Sequence, residues 1–306
     1  MPCTLEERGS VRQEIRQIQE QLERQSYIAD TAVATSVWLS TTLGKPLLVE
    51  GHAGVGKTEI AKVLARVHGA DLIRLQCYEG LDVSTALYEW NYPRQMLRLK
   101  LEEDSPLSLD EKEASIFTEP FLLKRPLLQA ITHTGRAPVL LIDEVDRADE
   151  EFEAFLLEVL SEFQVTIPEI GTIRATTRPD VILTSNRTRE LSDALRRRCL
   201  FLWIDYPSFE KELLIVRRKV PGMDEHLARE VTAFMQSIRR MDLGKVPGVA
   251  ETLDWAAALA ALHASRLDPA LVRETLGCVV KEERDTALVL RAMEERGLDA
   301  LAQVTG

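Results

Sequence analysis

The stretch GHAGVGKT, Gly51 to Thr58, sets glycines, a lysine and a threonine at the spacing G-x-x-x-x-G-K-[ST]. Glycines let successive backbone N–H groups converge on phosphate oxygens, and a helix starting at the lysine adds its positive dipole end. Lys57 would reach the outer phosphates and Thr58 would offer its hydroxyl to magnesium. The expected nucleotide-contacting set is Gly51, His52, Ala53, Gly54, Val55, Gly56, Lys57, Thr58 and Glu59, with His52 filling space in the loop. The run VLLIDE ends in adjacent acids, Asp143 and Glu144. Strand alternation points the two carboxylates different ways, so Asp143 is expected to hold magnesium through water while Glu144 polarises an attacking water. A further apolar run, DVILTSNR, ends at Asn186, whose amide either orients that water or caps a turn into the next helix. Three arginines, Arg196, Arg197 and Arg198, then precede the apolar run CLFLWID.

The elements that must position these residues follow from hydrophobic spacing. Val11, Ile15, Ile18 and Leu22 recur at helical spacing, and a second helix runs from Asp30 as N-cap to Gly44. From Pro46 onward the runs PLLVE, ADLIRLQ, PVLLIDE, DVILTSN and CLFLWID alternate with helical segments such as GKTEIAKVLARVHG. Buried strands alternating with helices predict an α/β fold, a three-layer αβα arrangement around a parallel sheet. Between Tyr78 and Pro138 the segment KLEEDSPLSLDEKEAS reads as a solvated excursion, and Gln164 to Ala175 reads as a β-hairpin around Pro168 and Gly171. Beyond Pro207 only helical periodicity remains. The expected organisation is N-terminal helices over 1–45, a nucleotide-binding core over 46–206 and a helical domain over 207–306. Trp38, Trp203 and Trp255 are expected in core positions, Tyr88, Trp90 and Tyr92 in the insertion, and Arg187, Arg189, Arg239 and Arg240 in solvent.

Composition narrows the partners. The 306 residues hold 38 Lys and Arg against 49 Asp and Glu, a net charge of −11. Such a surface repels phosphate backbones and disfavours non-specific nucleic-acid binding. Cys3, Cys77, Cys199 and Cys278 are dispersed, without CxxC pairs or Cys/His ligand spacing, so neither a zinc site nor a disulfide framework is expected. No apolar run approaches the roughly 20 residues of a membrane span, and the N-terminus lacks an apolar signal core. A cytoplasmic setting is expected.

The three strand ends, in this order and followed by an arginine-bearing helix end and a helical tail, resemble AAA+ ATPases over nearly the whole chain. The resemblance implies an AAA+ core with a C-terminal helical lid, ATP and Mg2+ as ligands, and a ring-shaped homo-oligomer. Lys57 and Thr58 match Walker A, Asp143 and Glu144 match Walker B, and Asn186 matches sensor 1. Arg198 falls at the arginine-finger position, with Arg196 in reserve and Arg197 as a solvated or interface charge. DEVDRADEEFEAFLLEVLSEFQVTIPEIGTIRA resembles the MoxR group. LIRLQCYEGLDVSTALYEWNYPRQ and GVAETLDWA resemble the accessory ATPases of carbon monoxide dehydrogenase and related molybdenum hydroxylases. That implies a hexameric chaperone-like ATPase working with a von Willebrand factor A domain protein on a metalloenzyme client. Two positions depart from the pattern: Ala250 and Glu251 stand where many AAA+ proteins carry a sensor 2 arginine, and Asp146 stands where MoxR proteins commonly have Asn. A nucleic-acid motor or loader is opposed by the charge and by the lack of a basic-aromatic stripe. A GTPase is opposed by the lack of N-K-x-D, while a non-hydrolysing scaffold is kept open by the missing sensor 2 arginine and opposed by the intact Glu144.

Overall fold

The computed structural model describes residues 5–103, 105, 106 and 108–303 of the protein. Its strands are β1 (Leu47–Gly51), β2 (Leu72–Gln76), β3 (Tyr88–Trp90), β4 (Leu122–Lys124), β5 (Val139–Asp143), β6 (Gln164–Ile167), β7 (Gly171–Arg174), β8 (Asp180–Ser185) and β9 (Leu200–Ile204). Five of them form one parallel sheet in the order β2-β5-β8-β1-β9, and they are the five runs that the hydrophobic pattern picks out. β1 and β5 are buried throughout and β8 from its second residue on, as strands covered on both faces must be. The edge strands β2 and β9 keep only part of their side chains from water. Trp203 shows the consequence: expected as a core anchor, it is 38% exposed because β9 is an edge.

Register aligns the strand ends that matter. Glu50 stands opposite Ser185, Ile142 opposite Leu183 and Gln76 opposite Asp143, so β1, β8, β5 and β2 finish along one edge. In open parallel sheets, ligands bind outside that carboxyl edge.

The Gln164–Ala175 hairpin forms as expected: β6 and β7 pair antiparallel, and Gly171 takes a φ of 96° at the start of the return strand. The charged excursion is more ordered than its composition suggests. It overlaps the end of the helix Tyr92–Leu101 and carries the helix Leu109–Ile116, and the second opens on a capping box between Ser108 and Glu111. Gln95 of the first is buried and donates from Nε2 to the Ile116 carbonyl at 2.9 Å. Trp90 is buried against the core while Tyr92 is 60% exposed.

The chain divides into two compact units. One comprises the N-terminal residues to Arg16 with 31–50 and 61–202; its core packs β5 and β8 against Phe152, Leu156 and Val159 of the helix Glu150–Glu162. The other comprises 17–30, 51–60 and the chain from Trp203 onward; its core centres on Phe234 and Trp255, whose indole N–H donates to Thr275 Oγ1 at 2.8 Å. From Pro207 onward only helices occur among the described residues, as the periodicity predicts. Among the described residues no helix is long and apolar enough to cross a membrane.

Candidate functional site

The loop after β1 curls around its own lysine. Gly54 and Gly56 take φ values of 73° and 92°, a conformation that side-chain-bearing residues rarely adopt. Lys57, buried at the first position of the helix Lys57–His68, donates from Nζ to the carbonyls of Gly51 (2.8 Å) and His52 (2.6 Å). A loop of this kind brings backbone N–H groups and an ammonium group to the start of a helix, the arrangement that binds phosphate. His52 stacks on Tyr206 with ring centroids 4.6 Å apart. Glu59 is held by Lys219 at 3.2 Å.

At the end of β5 the two acids diverge, but not by strand alternation. The strand stops at Asp143, and Glu144 enters the left-handed region at φ 56°, turning the chain into the 3-10 turn Val145–Arg147. Residues held there cost free energy and cluster at functional sites. Asp143 is 3% exposed; its Oδ1 accepts from Thr184 Oγ1 at 2.6 Å, and its Oδ2 from Arg74 Nη2 at 2.6 Å and Nε at 3.1 Å. Thr184 Oγ1 also accepts the Glu144 N–H at 2.9 Å, so a single hydroxyl on β8 sets both acids. The Glu144 carboxylate receives Asn186 Nδ2 at 3.3 Å, Gln76 Nε2 at 3.1 Å and Arg147 Nε at 3.0 Å. Cys77 registers this concentration of negative charge. Its thiol is pushed up to about 12, first by burial and then by Asp143, Asp146 and Glu144.

Asp146 is the residue whose role the sequence concealed. Its buried carboxylate accepts the backbone N–H of Asn186 (3.2 Å to each oxygen), the N–H of Thr188 (2.8 Å) and the Thr188 hydroxyl (2.7 Å). It fixes the loop that presents the Asn186 amide, including Arg187 at φ 58°. Two carboxylate oxygens serve three donors here, and an Asn side chain would offer a single acceptor oxygen. Arg189, expected in solvent, instead pairs with the buried Glu153 at 2.5 Å and donates from Nε to the Ala148 carbonyl at 2.9 Å.

The three arginines end the helix Asp193–Arg198, which Ser192 caps. Arg196 is engaged within its own chain: it donates to Glu50 Oε1 at 2.6 Å, and that hydrogen bond holds its guanidinium above the ordinary value. Glu50 is 1% exposed and has Arg187 3.6 Å from its other oxygen. Arg197 and Arg198 are exposed, and their side chains make no hydrogen bond or ion pair among the described residues. Burial pushes the Cys199 thiol up to about 12, which keeps it a neutral packing group rather than a nucleophile.

The family model described as the AAA domain, dynein-related subfamily, matches residues 46–199, from the residue before β1 to the residue before β9. The chain belongs to that AAA family. An uncharacterised protein of Staphylococcus epidermidis is 23% identical over 259 residues, covering 82% of this AAA chain and 90% of the relative. The gas vesicle ATPase GvpN of Haloferax mediterranei is 26% identical over 234 residues, covering 72% of this chain and 65% of the relative. Among solved structures, the Thermotoga maritima RuvB Holliday junction branch migration motor aligns over 99% of this chain and 74% of its own at 18% identity, with a TM-score of 0.45.

The glycine-rich loop of this AAA chain fits the phosphates of a nucleotide. Phosphate would meet the N–H groups of Gly54 to Lys57, and a Cβ at Gly56 would meet nothing within 4 Å, so the loop leaves that approach open. Asp143 ends β5 with a carboxylate, and Thr58, in the other compact unit, carries a hydroxyl at the second position of its helix. No cluster of three or more His, Cys, Asp or Glu side chains suited to a metal occurs among the described residues. Magnesium commonly needs only one or two protein oxygens, together with the phosphates of its nucleotide.

Glu50, Arg74, Gln76, Arg147, Asp146 and Thr184 all belong to the arrangement and escape motif reading. The available signals were a charge ending the buried run PLLVE and a polar residue three from the end of DVILTSN.

Proposed function

We propose that the chain is a magnesium-dependent ATPase that remodels a client protein as a ring-shaped, MoxR-type assembly in the cytoplasm. The pairing of Glu144 with Asn186 supports this reading most directly: a carboxylate able to take a proton stands within hydrogen-bond distance of an amide able to orient a water. Residues Gly51 to Glu59 bind the triphosphate, Lys57 moving from its loop carbonyls to the outer phosphates. Thr58 and Asp143 would hold magnesium, which would neutralise the charge that develops on the phosphates. Glu144 accepts the proton of the attacking water, Asn186 positions that water, and Arg198 of a neighbouring subunit supplies the last positive charge.

Lys57→Ala is expected to weaken MgATP binding by about 10- to 100-fold, the loss of a charge-assisted contact. Titration with a fluorescent ATP analogue measures it, and affinity equal to the parent's contradicts the phosphate assignment.

The client side of the proposal rests on resemblance to ATPases that act, with a von Willebrand factor A domain partner, on metalloenzymes such as molybdenum hydroxylases. In this reading the Gln164–Ala175 hairpin and the stretch from Tyr78 to Pro93 are the parts that touch the client. Replacing the hairpin's turn, Pro168 to Ile170, by a two-residue Asn-Gly turn is expected to leave basal phosphate release unchanged while abolishing client maturation. Maturation at the parent's rate would remove the hairpin from that role.

A further inference from the structure

The compact unit that contains residues 51–60 and the chain from Trp203 onward holds a contact that the nucleotide reading does not use. The helix Val249–Ala261 begins against the glycine-rich loop, with the Ala250 N–H donating to the Gly54 carbonyl at 3.1 Å. A Cβ on Gly248 would lie 2.6 Å from the Ala53 carbonyl oxygen and 2.7 Å from Gly54 Cα. The backbone of Gly248, at φ −88° and ψ −170°, is one that any residue adopts. Glycine is therefore required there by the proximity of the loop and not by its own dihedral angles.

A buried ion pair holds this helix start in place. Arg239, expected in solvent, has a side chain only 5% exposed and grips the fully buried Glu212 at 2.5 and 2.6 Å. Its remaining N–H groups go to the carbonyls of Pro247 (2.8 Å) and Gly248 (3.1 Å) and to Thr252 Oγ1 (2.9 Å). Thr252 in turn donates to Glu212 at 2.7 Å. The Arg239 guanidinium also lies 5.1 Å from the Tyr206 ring centroid, and Tyr206 stacks on His52. One arginine thus anchors two of the groups that touch the loop, Tyr206 at His52 and Gly248 at Ala53–Gly54. Desolvation offsets much of what a buried ion pair contributes to stability, whereas the planar, bidentate fork of arginine fixes geometry tightly.

We propose that Gly248, held by the Arg239–Glu212 pair, is a positioning residue for the phosphate loop, so that packing at the start of the helix Val249–Ala261 sets nucleotide affinity. The inference rests on the reading of Gly51 to Glu59 as a phosphate cradle. An added methyl at Gly248 must push the helix start and the loop apart, and it changes no group that would touch nucleotide.

The test compares the full chain, Gly248→Ala and Gly277→Ala, the last being a control because a Cβ there meets nothing within 4 Å. Hydrogen exchange of the Gly54 to Lys57 amides is followed in nucleotide-free protein, and affinity is measured with a fluorescent ATP analogue and magnesium. Gly248→Ala is expected to speed that exchange and weaken nucleotide binding about tenfold or more, with the helical circular dichroism retained. The control should do neither. Should Gly248→Ala not fold, Thr252→Val removes the hydroxyl shared by Arg239 and Glu212 and is expected to shift both readouts in the same direction. Exchange and affinity equal to the parent's in the folded variant overturn the proposal. Faster exchange alongside a parent that takes up no nucleotide overturns the phosphate reading instead and supports the contact.

Discussion

Arg198→Ala is expected to lower ATP turnover by about 10³- to 10⁵-fold, the range an arginine finger supplies, while MgATP still binds. That loss corresponds to about 4 to 7 kcal/mol of barrier. The assignment follows from what the three arginines do within one chain. Arg196 is committed to the buried Glu50, so removing it leaves a carboxylate without its donor at the carboxyl edge of the sheet. Its expected signature is a lowered melting temperature. Arg198 is exposed at the last position of its helix, where the half-buried Cys199 leads the chain into β9. Its side chain makes no hydrogen bond or ion pair among the described residues, so its removal should leave the melting temperature unchanged. Phosphate release and thermal unfolding of the two alanine variants separate the roles. Turnover unchanged in Arg198→Ala would remove it from the reaction.

The second large effect is expected from Glu144→Gln: a fall in turnover of about 10²- to 10⁴-fold with nucleotide binding retained. Gln matches Glu in shape, so the left-handed turn at φ 56° and the approach of Asn186 at 3.3 Å can persist. What disappears is the capacity to take a proton from water. The acidic neighbours matter as well, because Arg74 and Thr184 keep Asp143 engaged and leave Glu144 to meet Asn186, Gln76 and Arg147. Hydrolysis at the parent rate would show that Glu144 is not the base.

The parts of this protein legible in its sequence are those whose physics is local. Five apolar runs predict the five strands of the sheet, and β1, β5 and β8 read as near-continuous apolar runs because both of their faces are buried. The glycine-rich loop before the helix Lys57–His68 is legible because its glycines, lysine and threonine are contiguous. Illegible residues depend on partners far away along the chain. Arg239 looks like any charge on an amphipathic helix until Glu212 is placed beside it, and Arg189 likewise until Glu153 is. Trp203 sits in a run as apolar as its neighbours, but the strand order makes that run an edge and leaves the indole partly in water. The divergence of Asp143 and Glu144 is expected from strand alternation; it arises instead from a left-handed residue, which no propensity of Glu foretells. In the charged excursion the signal was present, Ser108 followed three residues later by Glu111, and the net polarity of the segment masked it. Gly248 offers no local signal at all, since its constraint is the backbone of Ala53 and Gly54.

Asp146 and the Ala250–Glu251 pair, the two departures from the family pattern, have different outcomes. Asp146 organises the Asn186 loop through its N–H groups. At Ala250 the chain makes a backbone hydrogen bond to the phosphate loop rather than offering a cation.

The central claim is that one subunit supplies Glu144 and its neighbour supplies Arg198. The direct measurement is phosphate release from mixtures of Glu144→Gln subunits with Arg198→Ala subunits, each nearly inactive alone. Interfaces that pair the intact Glu144 of one variant with the intact Arg198 of the other are complete, so activity should appear on mixing and peak near equal proportions. No recovered activity at any ratio, in mixtures shown to co-assemble, would contradict the account.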